Sequence, residues 1–171
     1  IFIGSVDNIL LKLVDSLLLG LTVSEGNQIG TRTVLKRDPE ERVGVLCKQN
    51  NKIKVIEYTE LPKEIACIKD DEGELVFGES HIMCNLFSLD AIKRASTKEL
   101  EYHIAFKRAD YLNENGEFIK VDKPNAYKFE KFIFDSFKLF DNISILRGKR
   151  EEDFAPVKNM TGEDSPETAK K

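Results

Sequence analysis

Val43-Gly44-Val45-Leu46-Cys47-Lys48-Gln49-Asn50-Asn51-Lys52-Ile53-Lys54-Val55-Ile56-Glu57-Tyr58 is the stretch on which the fold turns. Two strand-like runs, 43–48 and 52–58, flank the Asn50-Asn51 pair. Asparagine tolerates the positive φ angles of a tight hairpin better than most residues with a side chain. An antiparallel hairpin in a chain that also carries helical segments predicts a mixed sheet. Upstream, residues 1–6 read as a buried strand, and Asp7-Asn8 interrupts the apolar run where a helix can begin. The segment 15–25 has helical length, with Gly26 as its stop. Downstream, Asn115-Gly116 predicts a second hairpin between 104–111 and 118–121. Pro124-Asn125 then precedes a long helix predicted over 127–140. In it Phe129, Phe132, Ile133, Phe137 and Phe140 form one apolar stripe at helical period, with Phe134 off the stripe. Residues 143–146 return as a short strand. This alternation, without internal repeats, predicts an α/β organisation in a single compact unit.

Composition narrows the function classes. Hydrophobic residues make up 41% and charged residues 33%, the balance of a globular domain. With 26 basic against 30 acidic residues the chain has no general positive field for nucleic acid or an anionic membrane, so neither partner is expected. The longest apolar stretch, 9–23, is broken by Lys12 and Asp15 and is shorter than a bilayer span. Cys47, Cys67 and Cys84 are odd in number and lack paired spacing, which points to a reducing compartment. His81 and Cys84 have the spacing of half a zinc site, but the other half is missing, and buried thiols are the better expectation. The chain opens inside an apolar run, and Ser165-Pro166-Glu167 has the N-cap, first-turn proline and early acid of a helix that is only beginning. The expectation is a piece of a longer domain, cut at both ends.

Several polar residues stand at strand ends or in loops. Asp7 follows a predicted strand, where open α/β sheets gather ligands. Its carboxylate can hold a magnesium ion or cap the following helix, and spacing alone favours the cap. Glu57 and Tyr58 end a strand, where they can receive sugar hydroxyls or simply be solvated. Lys158, in a loop near Arg150, can neutralise phosphate or point into water. On periodicity alone Phe134 is an exposed aromatic, the other option being a pocket wall.

Three segments resemble eukaryotic UDP-N-acetylglucosamine pyrophosphorylases: Val6-Asp7-Asn8-Ile9-Leu10, Phe129-Glu130-Lys131-Phe132-Ile133-Phe134-Asp135, and Arg150-Glu151-Glu152-Asp153-Phe154-Ala155-Pro156-Val157-Lys158-Asn159. Val43-Gly44-Val45 followed by Val55-Ile56-Glu57-Tyr58 fits the same order. The resemblance implies a nucleotide-diphospho-sugar transferase (Rossmann-like) fold, here incomplete, with a mixed central sheet and flanking helices. It also implies a cytoplasmic uridylyltransferase that converts UTP and N-acetylglucosamine 1-phosphate to UDP-N-acetylglucosamine and pyrophosphate with Mg2+. Carried over by motif, Asp7 is the magnesium-side carboxylate and Lys158 the cation beside the phosphates. Gly44 admits the sugar to the backbone, Glu57 binds its hydroxyls with Tyr58 beside it, and Phe132 and Phe134 border the N-acetyl pocket.

Two departures qualify this. His81 stands where the family places a sugar-binding asparagine, and an imidazole there is expected to titrate near neutral pH. The family's glycine-rich phosphate loop and uracil-binding segment are not among these residues, so the 171 residues alone are expected to be inactive without the remainder of the parent enzyme. The alternatives are a non-catalytic sugar-nucleotide-binding domain of the same fold and a plain α/β interaction domain.

Overall fold

The computed structural model describes residues 1–170. Its strands are β1 (Phe2–Gly4), β2 (Ile29–Leu35), β3 (Val45–Gln49), β4 (Lys52–Ile56), β5 (Glu79–Phe87), β6 (His103–Lys107), β7 (Tyr111–Leu112), β8 (Phe118–Ile119), β9 (Ala126–Glu130) and β10 (Ser144–Arg147). The α-helices are α1 (Ser16–Ser24), α2 (Lys63–Ala66), α3 (Leu89–Ser96), α4 (Arg150–Asp153) and α5 (Pro166–Ala169), with a 3-10 helix over Ile133–Leu139.

The main sheet runs β10-β2-β5-β3-β4, with β1 also on β5. β10 is parallel to β2, whereas β5 is antiparallel to β1, β2 and β3, so the sheet is mixed, as the Asn50-Asn51 hairpin predicts. That turn has both asparagines at positive φ, 50° and 62°. Helix α1 packs on β2 because Gly30 has no side chain: a Cβ there would stand 2.2 Å from Thr22 Oγ1 and 3.1 Å from Leu18 Cδ1. Asp15 caps α1, its carboxylate accepting from the amides of Leu17 and Leu18, and Gly26 ends the turn after the helix at φ 68°. Val34, Ile82 and Cys84 form a buried cluster closed by Leu11 and Phe154.

Residues 99–135 form a compact unit of their own, distinct from residues 1–98 and the segment from Ser136 onward, so the expected single unit divides in two. The cause is pairing: β6 pairs with β9 and β7 with β8, and none of the four joins the main sheet. The Asn115-Gly116 hairpin is present, with Gly116 at φ 81°, but it joins β7 to β8 while the first part of the expected strand 104–111 becomes β6.

The helix expected over 127–140 is not formed. Its first part is strand β9, and the chain turns to 3-10 helix only from Ile133. Tyr127 and Phe129 alternate with Lys128 and Glu130, a period of two that β6 satisfies through the cross-strand pairs Ile104↔Phe129 and Phe106↔Tyr127. Phe134, expected as an exposed aromatic, is buried.

Candidate functional site

Register collects the candidate residues of the main sheet at one end. Leu35 at the end of β2 lies opposite Glu79 at the start of β5, and Val45 at the start of β3 lies opposite both Ser80 and Ile56. Arg147 ends β10 alongside Thr33. The chain therefore leaves β2, β4 and β10 and enters β3 and β5 at the same end, the carboxyl end of the parallel pair. β1 runs the same way, and its exit is marked by the Ser5 amide donating to Met83 O at 2.9 Å.

Asp7 lies in the turn after β1. No helix starts there, so the expectation that Asp7 caps one is corrected: Asp15, eight residues on, does the capping. The Asp7 carbonyl instead accepts from Val157 N at 2.8 Å, which brings the loop of Lys158 to the strand end carrying Asp7. The Asp7 carboxylate is half-buried and has no hydrogen bond or ion pair among the described residues. The Lys158 side chain is partly exposed and lies 3.6 Å from the Asp164 carboxylate, while Lys158 N and Asn159 N both donate to Asp164 O.

Gly44, Glu57 and His81 form a second group. Gly44 is buried, and its carbonyl accepts from His81 N at 2.9 Å. Glu57 and Tyr58 follow β4; the Glu57 carbonyl accepts from Glu60 N and Leu61 N in the turn that leaves the strand, and Tyr58 is 38% exposed. The His81 side chain is buried, with Nε2 donating to Asn85 Oδ1 at 3.0 Å and the ring meeting Phe137 edge-on at 5.8 Å. Burial pushes this imidazole down to about 4, against the Asn85 hydrogen bond that favours its protonation. The expected titration of His81 near neutral pH is thereby corrected. Four positions on, Asn85 is fully buried, and its Oδ1 accepts from Thr31 Oγ1 at 2.7 Å as well as from His81.

In the unit 99–135, Phe132 and Phe134 stack with centroids 4.8 Å apart and planes 15° apart. His103 lies against both rings, and its Nε2 meets Asp135 Oδ2 at 2.9 Å. Neither His103 nor Asp135 is marked by spacing. They are 32 residues apart in sequence and meet only when β6 pairs with β9.

Among the described residues no group of three or more His, Cys, Asp or Glu side chains could hold a metal ion. An all-protein metal cage is therefore not formed by them. A magnesium ion takes one or two carboxylates and completes its shell with phosphate oxygens and water. The unpartnered carboxylate of Asp7 fits that requirement. His81 and Cys84, weighed as half of a zinc site, are each buried, with Cys84 in the apolar cluster; the expectation of buried thiols holds for Cys84 but is corrected for Cys67, which is exposed, and Cys47, which is half-buried.

Known proteins resemble the chain along nearly its whole length. The family model for UTP–glucose-1-phosphate uridylyltransferase matches residues 1–162. Human UDP-N-acetylhexosamine pyrophosphorylase-like protein 1 is 39% identical, the match covering 96% of this chain and 34% of the human protein. UDP-N-acetylglucosamine pyrophosphorylase of Saccharomyces cerevisiae is 35% identical over 99% of this chain and 37% of its own length. The crystal structure of the Trypanosoma brucei UDP-N-acetylglucosamine pyrophosphorylase superposes with a TM-score of 0.81 at 32% identity, covering 98% of this chain and 33% of that one. The chain thus spans about a third of the length of the curated relatives it matches.

Proposed function

The chain belongs to the UTP–glucose-1-phosphate uridylyltransferase family, and from that membership we propose that it serves in uridylyl transfer from UTP to N-acetylglucosamine 1-phosphate. An oxygen of the sugar phosphate attacks the α-phosphorus of UTP in line, the bond from that phosphorus to the bridging oxygen breaks, and pyrophosphate leaves. No covalent enzyme intermediate is required, so the work of the protein is positioning and charge compensation. Lys158 Nζ is assigned to the negative charge that gathers on the phosphates. Asp7 is assigned to magnesium, which when bound draws charge from phosphate oxygens. Glu57 accepts hydrogen bonds from sugar hydroxyls beside Tyr58, over the space left by Gly44, and His81 braces Gly44 through the backbone bond between them. Phe132 and Phe134 keep their assignment to the N-acetyl group on the strength of the family resemblance.

The observation that carries this reading is the Val157–Asp7 hydrogen bond, which brings together the strand end and the loop that hold the two proposed catalytic groups. A cytoplasmic site of action belongs to the same proposal and is supported by three free cysteines; no helix among the described residues is long and apolar enough to cross a membrane. Because these 171 residues contain no glycine-rich phosphate loop, turnover is expected only in a chain that supplies one. The test incubates such a chain with UTP, Mg2+ and either N-acetylglucosamine 1-phosphate or glucose 1-phosphate, and follows pyrophosphate. Faster release with the N-acetyl sugar supports the proposal. Binding of UDP-N-acetylglucosamine without any turnover would favour a non-catalytic sugar-nucleotide-binding domain.

A further inference from the structure

We propose that Asn8 is a positioning residue: its side-chain amide latches the Lys158 loop onto the strand end that carries Asp7. The inference rests on the roles assigned to Asp7 and Lys158 above.

Asn8 is 4% exposed, and both ends of its amide are engaged by backbone from the far end of the chain. Nδ2 donates to Asp153 O at 2.7 Å, and Oδ1 accepts from Ala155 N at 2.9 Å. Ile9 N donates to Ala155 O at 3.3 Å, and Val157 N donates to Asp7 O at 2.8 Å. Asn8 and Pro156 form an isolated antiparallel bridge. Between these backbone contacts Pro156 is the non-hydrogen-bonded partner of Asn8, so its lack of an N–H costs this pairing nothing. The Asn8 amide adds two further connections from the side.

The loop is also anchored from behind. The Asp153 carboxylate is buried; its Oδ2 lies 3.0 Å from Arg32 Nη1, and Lys12 sits 2.7 Å from Oδ1 as a point charge rather than a directed hydrogen bond. Arg32 pairs in turn with Asp15, the cap of α1. Gly148 leaves room for this carboxylate, since a Cβ there would stand 1.8 Å from Asp153 Oδ2. Asp153 is thus fixed to the sheet, and Asn8 fixes the two residues after it. Lys158 begins just beyond the last latched amide, that of Val157, and among the described residues its own side chain has only the 3.6 Å pairing with Asp164. Where Lys158 can place its charge is set by the latch.

The test compares wild type, Asn8→Ala, Asn8→Asp and Lys158→Ala in an active chain carrying these residues. Asn8→Asp keeps the acceptor for Ala155 N–H but loses the donor to Asp153 O, and it carries the test if Asn8→Ala does not fold. Amide exchange should quicken about tenfold at Ala155 and Val157 while β2 and β5 keep their protection. With it kcat should fall about tenfold or more, with KM for UTP and N-acetylglucosamine 1-phosphate held within about twofold. Equal loss of protection across β2 and β5 would overturn the latch, making Asn8 a support of the whole sheet. A freed loop with unchanged kcat, in an enzyme that Lys158→Ala disables, would overturn the positioning role and leave the Lys158 assignment intact. An unchanged rate in Lys158→Ala would instead sink that assignment, and the inference with it.

Discussion

The carboxylate of Glu57 closes over the α-carbon of Gly44: a Cβ on Gly44 would stand 2.9 Å from Glu57 Oε1 and 2.9 Å from Val55 Cγ1. The two residues flank the open end of one hairpin, Gly44 before β3 and Glu57 after β4, and the absent side chain is what lets the acid lie there. Gly44→Ala should therefore displace Glu57, the proposed acceptor of sugar hydroxyls, and press on the buried Val55. The expected outcome is a rise of about tenfold in KM for the sugar phosphate with a smaller change in kcat, and a loss of about 1–3 kcal/mol from overpacking. Steady-state kinetics and urea unfolding check the two parts, and an unchanged KM would separate Gly44 from the sugar.

His81 makes stability, rather than activity near neutrality, depend on pH. Its folded-state pKa is pushed down to about 4 from an ordinary 6.5 by burial. Between those values the unfolded chain binds a proton that the folded chain refuses, so stability rises with pH through the window. It is complete above about pH 6.5 and falls as the pH drops toward 4. The difference is on the order of 3 kcal/mol. Urea unfolding from pH 4 to 7 should show a shallower pH dependence in His81→Asn than in wild type. Equal slopes would place the imidazole in water.

Arg32 lies buried between two buried carboxylates, pairing with Asp15 and standing 3.0 Å from Asp153. Burial raises the Asp15 pKa, but the hydrogen bond and charge of Arg32 and the amides of Leu18 and Leu17 outweigh it and hold it below 3.8. That contribution is present above the ordinary carboxylate value and is lost as pH falls through the lowered one. Arg32→Met takes the guanidinium from both acids, leaving Asp153 to Lys12 and Asp15 to the helix amides, and should cost about 3–5 kcal/mol at pH 7. Chemical denaturation measures this, and a loss below about 1 kcal/mol would mean that water already reaches the pair.

Elements held by neighbouring residues were legible in the sequence. The Asn50-Asn51 turn, α1 with its Gly26 stop and the Ser165 cap of α5 each depend on a few adjacent side chains. Strands β2 and β5 were not legible, because they bury Thr31, Thr33, His81 and Asn85, polar residues that hide the hydrophobic signal of a central strand. Thr31, His81 and Asn85 are satisfied there by one another across the sheet, a partnership that no local window contains. The stripe over 127–140 failed for the opposite reason: its phenylalanines fit two periods, and pairing with β6 selected the shorter for residues 126–130. At the site, Asp7 and Lys158 were picked out through motif resemblance. Asn8 stands beside Asp7 in the same motif, yet its task stayed hidden because its distant partners are backbone atoms of Asp153 and Ala155.

Single-turnover formation of pyrophosphate reads whether Lys158 is the phosphate-facing cation in uridylyl transfer. An active chain carrying these residues, and its Lys158→Ala variant, are mixed with UTP, Mg2+ and N-acetylglucosamine 1-phosphate at saturating concentrations. Lys158 is partly exposed and only loosely paired, so the variant should unfold at the same urea concentration as wild type. Its chemical step should be slower by about a hundredfold, the scale of one lost electrostatic stabiliser. A folded variant that releases pyrophosphate at the wild-type rate would mean that Lys158 does not face the phosphates in the reaction.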